Sequence, residues 1–301
     1  MKWDSINLYY NQICFYITLG SLCMHCTFWI QVILHHNIRQ RSLQWIYSYL
    51  FIDILLMSLF FLQYGIRTKD DCFSNTVFSI LCTLEAYSAI YLSLIQPYLL
   101  VGLNICRYLR IVKSLNVYTR YIKTIYFIHI LLYISPSLSF ILQFQFGWSM
   151  LESGTGAICD LTYSSMSAQS INIMLEFIIP VSLNIIFMAM TLVHIRHSKR
   201  TVNAERQVHK RLLLQFFIVY MIWLLLWGPF VLIYQFTKIT DRISFYSQII
   251  SFCEVFCDPF IFIALDNRFI EALKKSWKML KNIQRVSQIQ PSSRAMARSG
   301  F

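Results

Sequence analysis

Five acidic residues stand inside otherwise apolar stretches of this 301-residue chain: Asp53, Glu85, Glu176, Glu254 and Asp258. A carboxylate in hydrocarbon costs several kcal/mol unless it is paired, hydrated or protonated, so each marks a place for a cation or a proton. Glu254 precedes Asp258 by four residues, about one helical turn, which puts both on one helix face. Other chemistries find few candidates. Cys23-x-x-Cys26 has no second pair or histidine cluster at zinc-site spacing. No glycine-rich phosphate loop or His-Glu-x-x-His motif is present, so an enzyme is not expected. The nine cysteines are odd in number, which leaves at least one thiol outside intrachain pairs. Cys14, Cys23, Cys26, Cys106, Cys253 and Cys257 fall in expected helices and read as buried thiols.

The elements that must hold these acids are membrane spans. The chain is 57% hydrophobic and 13% charged, against roughly 25% charged in ordinary globular proteins. Seven apolar runs, near 8–34, 44–66, 75–106, 122–146, 169–195, 212–236 and 243–265, are each long enough to cross the bilayer as a helix. They use nearly the whole length and leave no room for a separate soluble domain. Pro136, Pro180, Pro229 and Pro259 lie inside runs, where neighbouring helices satisfy the freed carbonyls. No internal repeat of the transporter kind is visible. The first run is too long for a cleaved signal peptide, and no N-x-[ST] sequon occurs.

With the N-terminus outside, 21 of the 26 Lys and Arg residues fall on the inner side. The positive-inside rule favours that orientation, and the net charge of +12 becomes a topology signal rather than a nucleic-acid one. Residues 1–7 then form a short extracellular N-terminus and 8–265 the bundle. Over 266–281 an amphipathic helix is expected, with Phe269, Ile270, Leu273, Trp277 and Leu280 on one face. Lys274, Lys275, Lys278 and Lys281 lie on the other, against the anionic inner leaflet. The polar stretch 282–301 reads as a disordered cytoplasmic tail.

Several motifs occur in a recognisable order. The third run ends Cys106-Arg107-Tyr108, and Cys82 stands twenty-five residues before Arg107. The sixth holds Trp227-Gly228-Pro229, and the seventh ends Asp258-Pro259-Phe260-Ile261-Phe262. Asp53 lies in the second run and Pro180 in the fifth. Taken together these resemble the rhodopsin-like (class A) G-protein-coupled receptors over roughly residues 8–281. The expected fold is an all-α membrane protein, a seven-transmembrane helix bundle with a short amphipathic eighth helix. Departures accompany the likeness: Cys106 replaces the acid of the Asp-Arg-Tyr triplet, and Phe262 the tyrosine of Asn-Pro-x-x-Tyr. Ser21 stands in place of the first-helix asparagine, Tyr126 of the fourth-helix tryptophan and Met188 of the fifth-helix tyrosine.

The resemblance implies an extracellular ligand and a heterotrimeric G protein as partners, with arrestin a further candidate. The localisation implied is the plasma membrane. Its activation switch would involve Arg107, Tyr108, Trp227, Pro229, Asp258, Pro259 and Phe262. It implies a sodium or proton site at Asp53, Asp258 and Glu254, no other cofactor, and a disulfide between Cys82 and Cys159. Ala89 occupies the position where amine receptors carry an aspartate, so a monoamine is not expected. Glu85, Ala89, Glu176, Trp227 and Tyr234 are the pocket candidates for a peptide or small chemosensory ligand. Without an acid beside Arg107, a weak resting lock and appreciable ligand-free activity are expected. The rival class is a seven-span ion or proton transporter or channel that uses the buried acids as its path. A retinal protein would need a lysine in the seventh run, and between Ile243 and Leu265 there is none.

Overall fold

The computed structural model describes residues 5–67, 75–152, 160–197, 203–236, 242–266, 268–279 and 281–282. The long helices are α1 (Ser5–Leu34), α2 (Gln44–Arg67), α3 (Asn75–Val112), α5 (Ile122–Gln145), α7 (Ile179–His197), α8 (Asn203–Phe236) and α9 (Arg242–Leu265). A four-residue helix, α4 (Val117–Arg120), precedes α5, and α6 (Met166–Ile173) runs into α7 through a π-turn at Met174–Ile178. Residues 268–279 are helical and are called α10. Six segments are long and apolar enough to cross a membrane, and α8 contributes a shorter apolar stretch, Phe217–Ile233. With α8 included, the architecture is a seven-helix bundle.

α1 packs between α2 and α9, α3 between α2, α5 and α7, and α8 between α7 and α9. The face each helix turns outward is as apolar as the face it turns inward. Phe127, Ile130, Leu131, Ile134 and Leu138 of α5 are exposed, as lipid-facing residues must be. The same logic corrects one expectation about thiols. Cys14 and Cys106 are buried, but Cys23, Cys26 and Cys253 are exposed and Cys257 is half-buried. Lipid is as hospitable to a thiol as the core, so burial inside the protein is not required of it.

Two helices outrun their apolar segments. α3 continues past Tyr108 to Val112, and α8 begins at Asn203 rather than near 212. Hydropathy marks where the bilayer ends, while the backbone ladder goes on into water. The antiparallel hairpin of β1 (Ser149–Glu152) and β2 (Asp160–Tyr163), with β2 against α3, has no counterpart among the expected segments. Residues 283–301, and Cys72 and Cys159, lie outside the described residues.

Close approach of α2 and α3 depends on one glycine. The Trp45 ring lies against Gly102, where even a methyl group would collide with it, and on its other side stacks on His129 of α5 at 3.8 Å and 30°. Three helices therefore meet through one indole. Gly102→Ala is expected to destabilise the bundle by about 1–3 kcal/mol, as overpacking does. A lowered thermal midpoint in detergent, partly restored by Trp45→Leu, is the expected result. An unchanged midpoint would show that the indole has room to move.

Candidate functional site

Three of the five intramembrane acids come together. Asp53 (α2), Glu254 and Asp258 (both α9) are 0%, 0% and 1% exposed. Tyr49, one turn before Asp53, places its hydroxyl 2.9 Å from Glu254 Oε1 and 2.7 Å from Asp258 Oδ2. Gln96 of α3 donates from Nε2 to Asp53 Oδ1, and Asp258 is hydrogen-bonded to both Glu254 and Asp53. Asp53 Oδ2 and Glu254 Oε2 are buried with no other donor among the described residues.

Counting donors decides what this cluster needs. A tyrosine hydroxyl carries one proton, yet it touches two carboxyl oxygens, and carboxyl groups touch each other. Ionised carboxylates only accept, so at least one more positive charge, a proton or a small cation, must be shared among the three. The donor set fits a hard monovalent cation: all oxygens and one amide. Among the described residues no group of three His, Cys, Asp or Glu side chains is arranged to hold a metal ion. A cation here would therefore share its shell with the Tyr49 hydroxyl and Gln96, or take the place of a carboxyl proton. Phe262 closes the inner side, its ring 6.1 Å from that of Tyr49, and Pro259 is buried beside Asp258.

At the inner end of α3, Arg107 is half-buried and Cys106 is 6% exposed. Tyr118 of α4 is hydrogen-bonded to Cys106 and lies within the field of Arg107. Burial, and after it the neighbouring Cys106, pushes the Tyr118 hydroxyl above its ordinary range, so it stays neutral and able to donate. The second inner loop thus rests on the position where the sequence lacks an acid. Tyr108 faces α7, 5.7 Å from the Phe187 ring. One level deeper, Asn104 donates to Asn184 Oδ1 at 2.6 Å, and Asn184 donates to the Pro180 carbonyl at 3.0 Å. Tyr220 of α8 donates to the Val181 carbonyl at 3.4 Å and is hydrogen-bonded to Asn184. This relay links α3, α7 and α8 beneath Trp223 and Trp227, whose rings stack at 5.2 Å. Pro229 is exposed, two residues beyond buried Trp227.

In the outer half, Glu176 is buried within the π-turn. Pro180 has no N–H for the carbonyl of Glu176, and the widened turn relieves the clash its ring would cause. Tyr98 of α3 donates to the neighbouring Leu175 carbonyl at 2.8 Å. Glu85 and Ala89 in α3 and Tyr234 in α8 have helical backbones, but their side chains lie outside the described residues. Of the pocket candidates, Glu176 and Trp227 are therefore placed and the other three are not. Cys82 is buried and disulfide-bonded, and its expected partner Cys159 lies outside the described residues.

No protein-family description and no curated protein matches the chain. Among solved structures it is similar to the crystal structure of squid rhodopsin, with a TM-score of 0.69 at 14% identity. The likeness covers 93% of this chain and 88% of that one. The chain is an all-α membrane bundle of seven helices. Its fold is the rhodopsin fold.

Sequence reasoning reached the three acids but missed Tyr49, Gln96 and the Asn104–Asn184–Tyr220 relay. Each carried a signal: a polar group inside an apolar run, and for Tyr49 the four-residue spacing to Asp53. Tyr49→Phe removes the one hydroxyl that serves both α9 carboxyls. It is expected to cost about 1–3 kcal/mol, the penalty for buried acceptors left without a donor. A thermal midpoint that matches wild type in a membrane mimetic would show that the carboxyls satisfy one another without it.

Proposed function

We propose that this chain is a receptor that binds an extracellular ligand and activates a heterotrimeric G protein through the inner ends of α3, α7 and α8. The observation that carries the reading is the placement of Arg107 within a rhodopsin fold. It stands half-buried at the inner end of α3, beside Tyr118 and next to a tyrosine that faces α7. Outward movement of α8 would open a cleft there, and a guanidinium with five donors suits the carbonyl-rich end of an inserted helix. Arg107 and Tyr108 are assigned to that contact. Trp227, Pro229, Pro259 and Phe262 are assigned to the hinge that transmits ligand binding. Tyr118 takes the restraining place that an acid at Cys106 would hold.

The ligand site lies in the outer half, with Glu176 and Trp227 among its lining and Glu85, Ala89 and Tyr234 as further candidates. A Cys82–Cys159 disulfide would tie β2 to α3 above it. A buried acid there suits a cationic group on a peptide or small chemosensory molecule. The plasma membrane, with the N-terminus outside, is the location consistent with the charge distribution.

The test is complex formation in nanodiscs with a panel of nucleotide-free heterotrimeric G proteins. A complex that forms, dissolves on adding GTP and weakens at least roughly tenfold in Arg107→Ala is the expected outcome, a loss of about 1.4 kcal/mol. A folded preparation that binds none of the panel would shift the case to ion conduction through the buried acids.

The Asp53–Glu254–Asp258 cluster is assigned a regulatory role, with one exchangeable positive charge supplied by a proton or by sodium. Sodium bound to the resting bundle stabilises it by mass action. The thermal midpoint is expected to be higher in NaCl than in choline chloride at matched ionic strength, and the difference to vanish in Asp258→Asn. Equal midpoints in the two salts for the wild-type chain would remove sodium from the scheme.

A further inference from the structure

The inner end of the bundle carries a cavity that the signalling reading does not use. It lies between the end of α1, the 3-10 turn His36–Ile38 and the start of α10, and encloses about 400 Å3. Its walls are built rather than incidental. Ser276 of α10 donates to Gln31 Oε1 at 2.6 Å and meets His35 Nε2 at 2.8 Å. Arg268 donates to Gln40 from the opposite side, and the Phe269 and Phe28 rings stack at 5.1 Å beneath. Tyr47 of α2 holds the turn by donating to the Ile38 carbonyl at 2.6 Å.

The charge of the lining is one-sided. Arg39, Arg268 and Lys275 face a single acid, Glu271. Arg268 is committed to Asp266 at 2.5 Å, and Arg39 spends one donor on the Ile33 carbonyl at 3.1 Å. Lys275 and His36 make no side-chain hydrogen bond or ion pair among the described residues. A cavity that gathers free cationic donors over a backbone turn is suited to phosphate oxygens.

The surroundings say which phosphate. Ile30, Ile33 and Leu34 are exposed on the last turns of α1, and Trp277 (61% exposed) and Met279 project from α10. These side chains belong in acyl chains, so the mouth opens at the level of the lipid headgroups. A single phosphate monoester would leave most of the volume empty, whereas a phosphorylated ring fills a pocket of this size class. From this geometry we infer that the cavity is a binding site for the phosphorylated headgroup of an anionic membrane lipid of the phosphoinositide class, whose acyl chains run along Ile30 and Ile33. The site goes beyond a general attraction of α10 for the leaflet, and it stands whether or not the chain couples to a G protein.

The test is native mass spectrometry of the full chain released from mixed micelles of phosphatidylcholine, phosphatidylserine and phosphatidylinositol bisphosphate. Wild type is expected to retain the bisphosphate lipid over phosphatidylserine. Two surface cations near an anionic lipid are worth about 1 kcal/mol each, so Arg39→Gln with Lys275→Gln should lower retention by roughly tenfold or more. Lys274→Gln with Lys278→Gln removes the same charge from α10 outside the cavity and should change it little. Equal losses in the two pairs would reduce the site to surface electrostatics and overturn the assignment. Glu271→Gln, which removes the opposing charge, is expected to raise retention; a fall counts against the cavity. Free inositol trisphosphate is the last arm. If it displaces the lipid at equal concentration, the ligand is a soluble phosphate and the lipid assignment fails.

Discussion

Inside a bilayer no water is available to rescue an unpaired polar group, and the centre of this bundle is organised by that constraint. Three carboxyls, one phenol and one amide from α2, α3 and α9 have only each other. Their mutual satisfaction fixes the relative height and rotation of three helices, because a shift of one turn in any of them would leave a carboxylate facing hydrocarbon. Polar contacts that would be interchangeable with water in a soluble protein here carry register. Net charge inside the cluster is also conserved in a strict sense: a cation cannot enter without a proton leaving or a donor turning away.

Away from that centre the same logic is executed with different groups. Beneath the stacked tryptophans of α8, amide side chains from α3 and α7 and a tyrosine from α8 pair in series, and each of the three helices contributes one member. Such a relay has two satisfied arrangements only if partners can be exchanged together, which is the property a switching element needs. Lower still, Tyr118 and Cys106 join the second inner loop to α3 through a neutral contact. A neutral contact is weaker than an ion pair but needs no desolvated counter-charge when it breaks. The Trp45 indole wedged between Gly102 and His129 makes the opposite contribution, a packed contact with no alternative arrangement, and it gives α2, α3 and α5 a fixed side against which the others move.

How far all this was legible in the sequence follows from what kind of signal each feature leaves. Seven spans were legible because hydropathy sums over twenty residues, and no local accident cancels such a sum. The helix ends were not: the basic stretch before Leu212 and the turn after Tyr108 are helical but no longer in lipid, so the apolar pattern stops before the backbone does. Glu254 and Asp258 could be paired by their spacing alone. Asp53 joins them only in three dimensions, and its place beside them was reached by resemblance rather than by periodicity. Tyr49 was overlooked because tyrosines are at home in membrane helices, and nothing local distinguishes one that holds two carboxyls from one that faces lipid. The thiols of Cys23, Cys26 and Cys253 were misjudged for a related reason, since the inside–outside contrast that sorts side chains in water disappears when the solvent is hydrocarbon.

The π-turn at Met174–Ile178 has a geometric consequence for the outer half of the molecule. A single added residue advances the helical phase by about 100°. Side chains above the turn therefore present a face rotated by nearly a third of a circle from the one that periodicity projects upward from α7. The helix behaves as two coaxial segments with different azimuths, and the carboxyl of Glu176 sits at the joint where one azimuth gives way to the other.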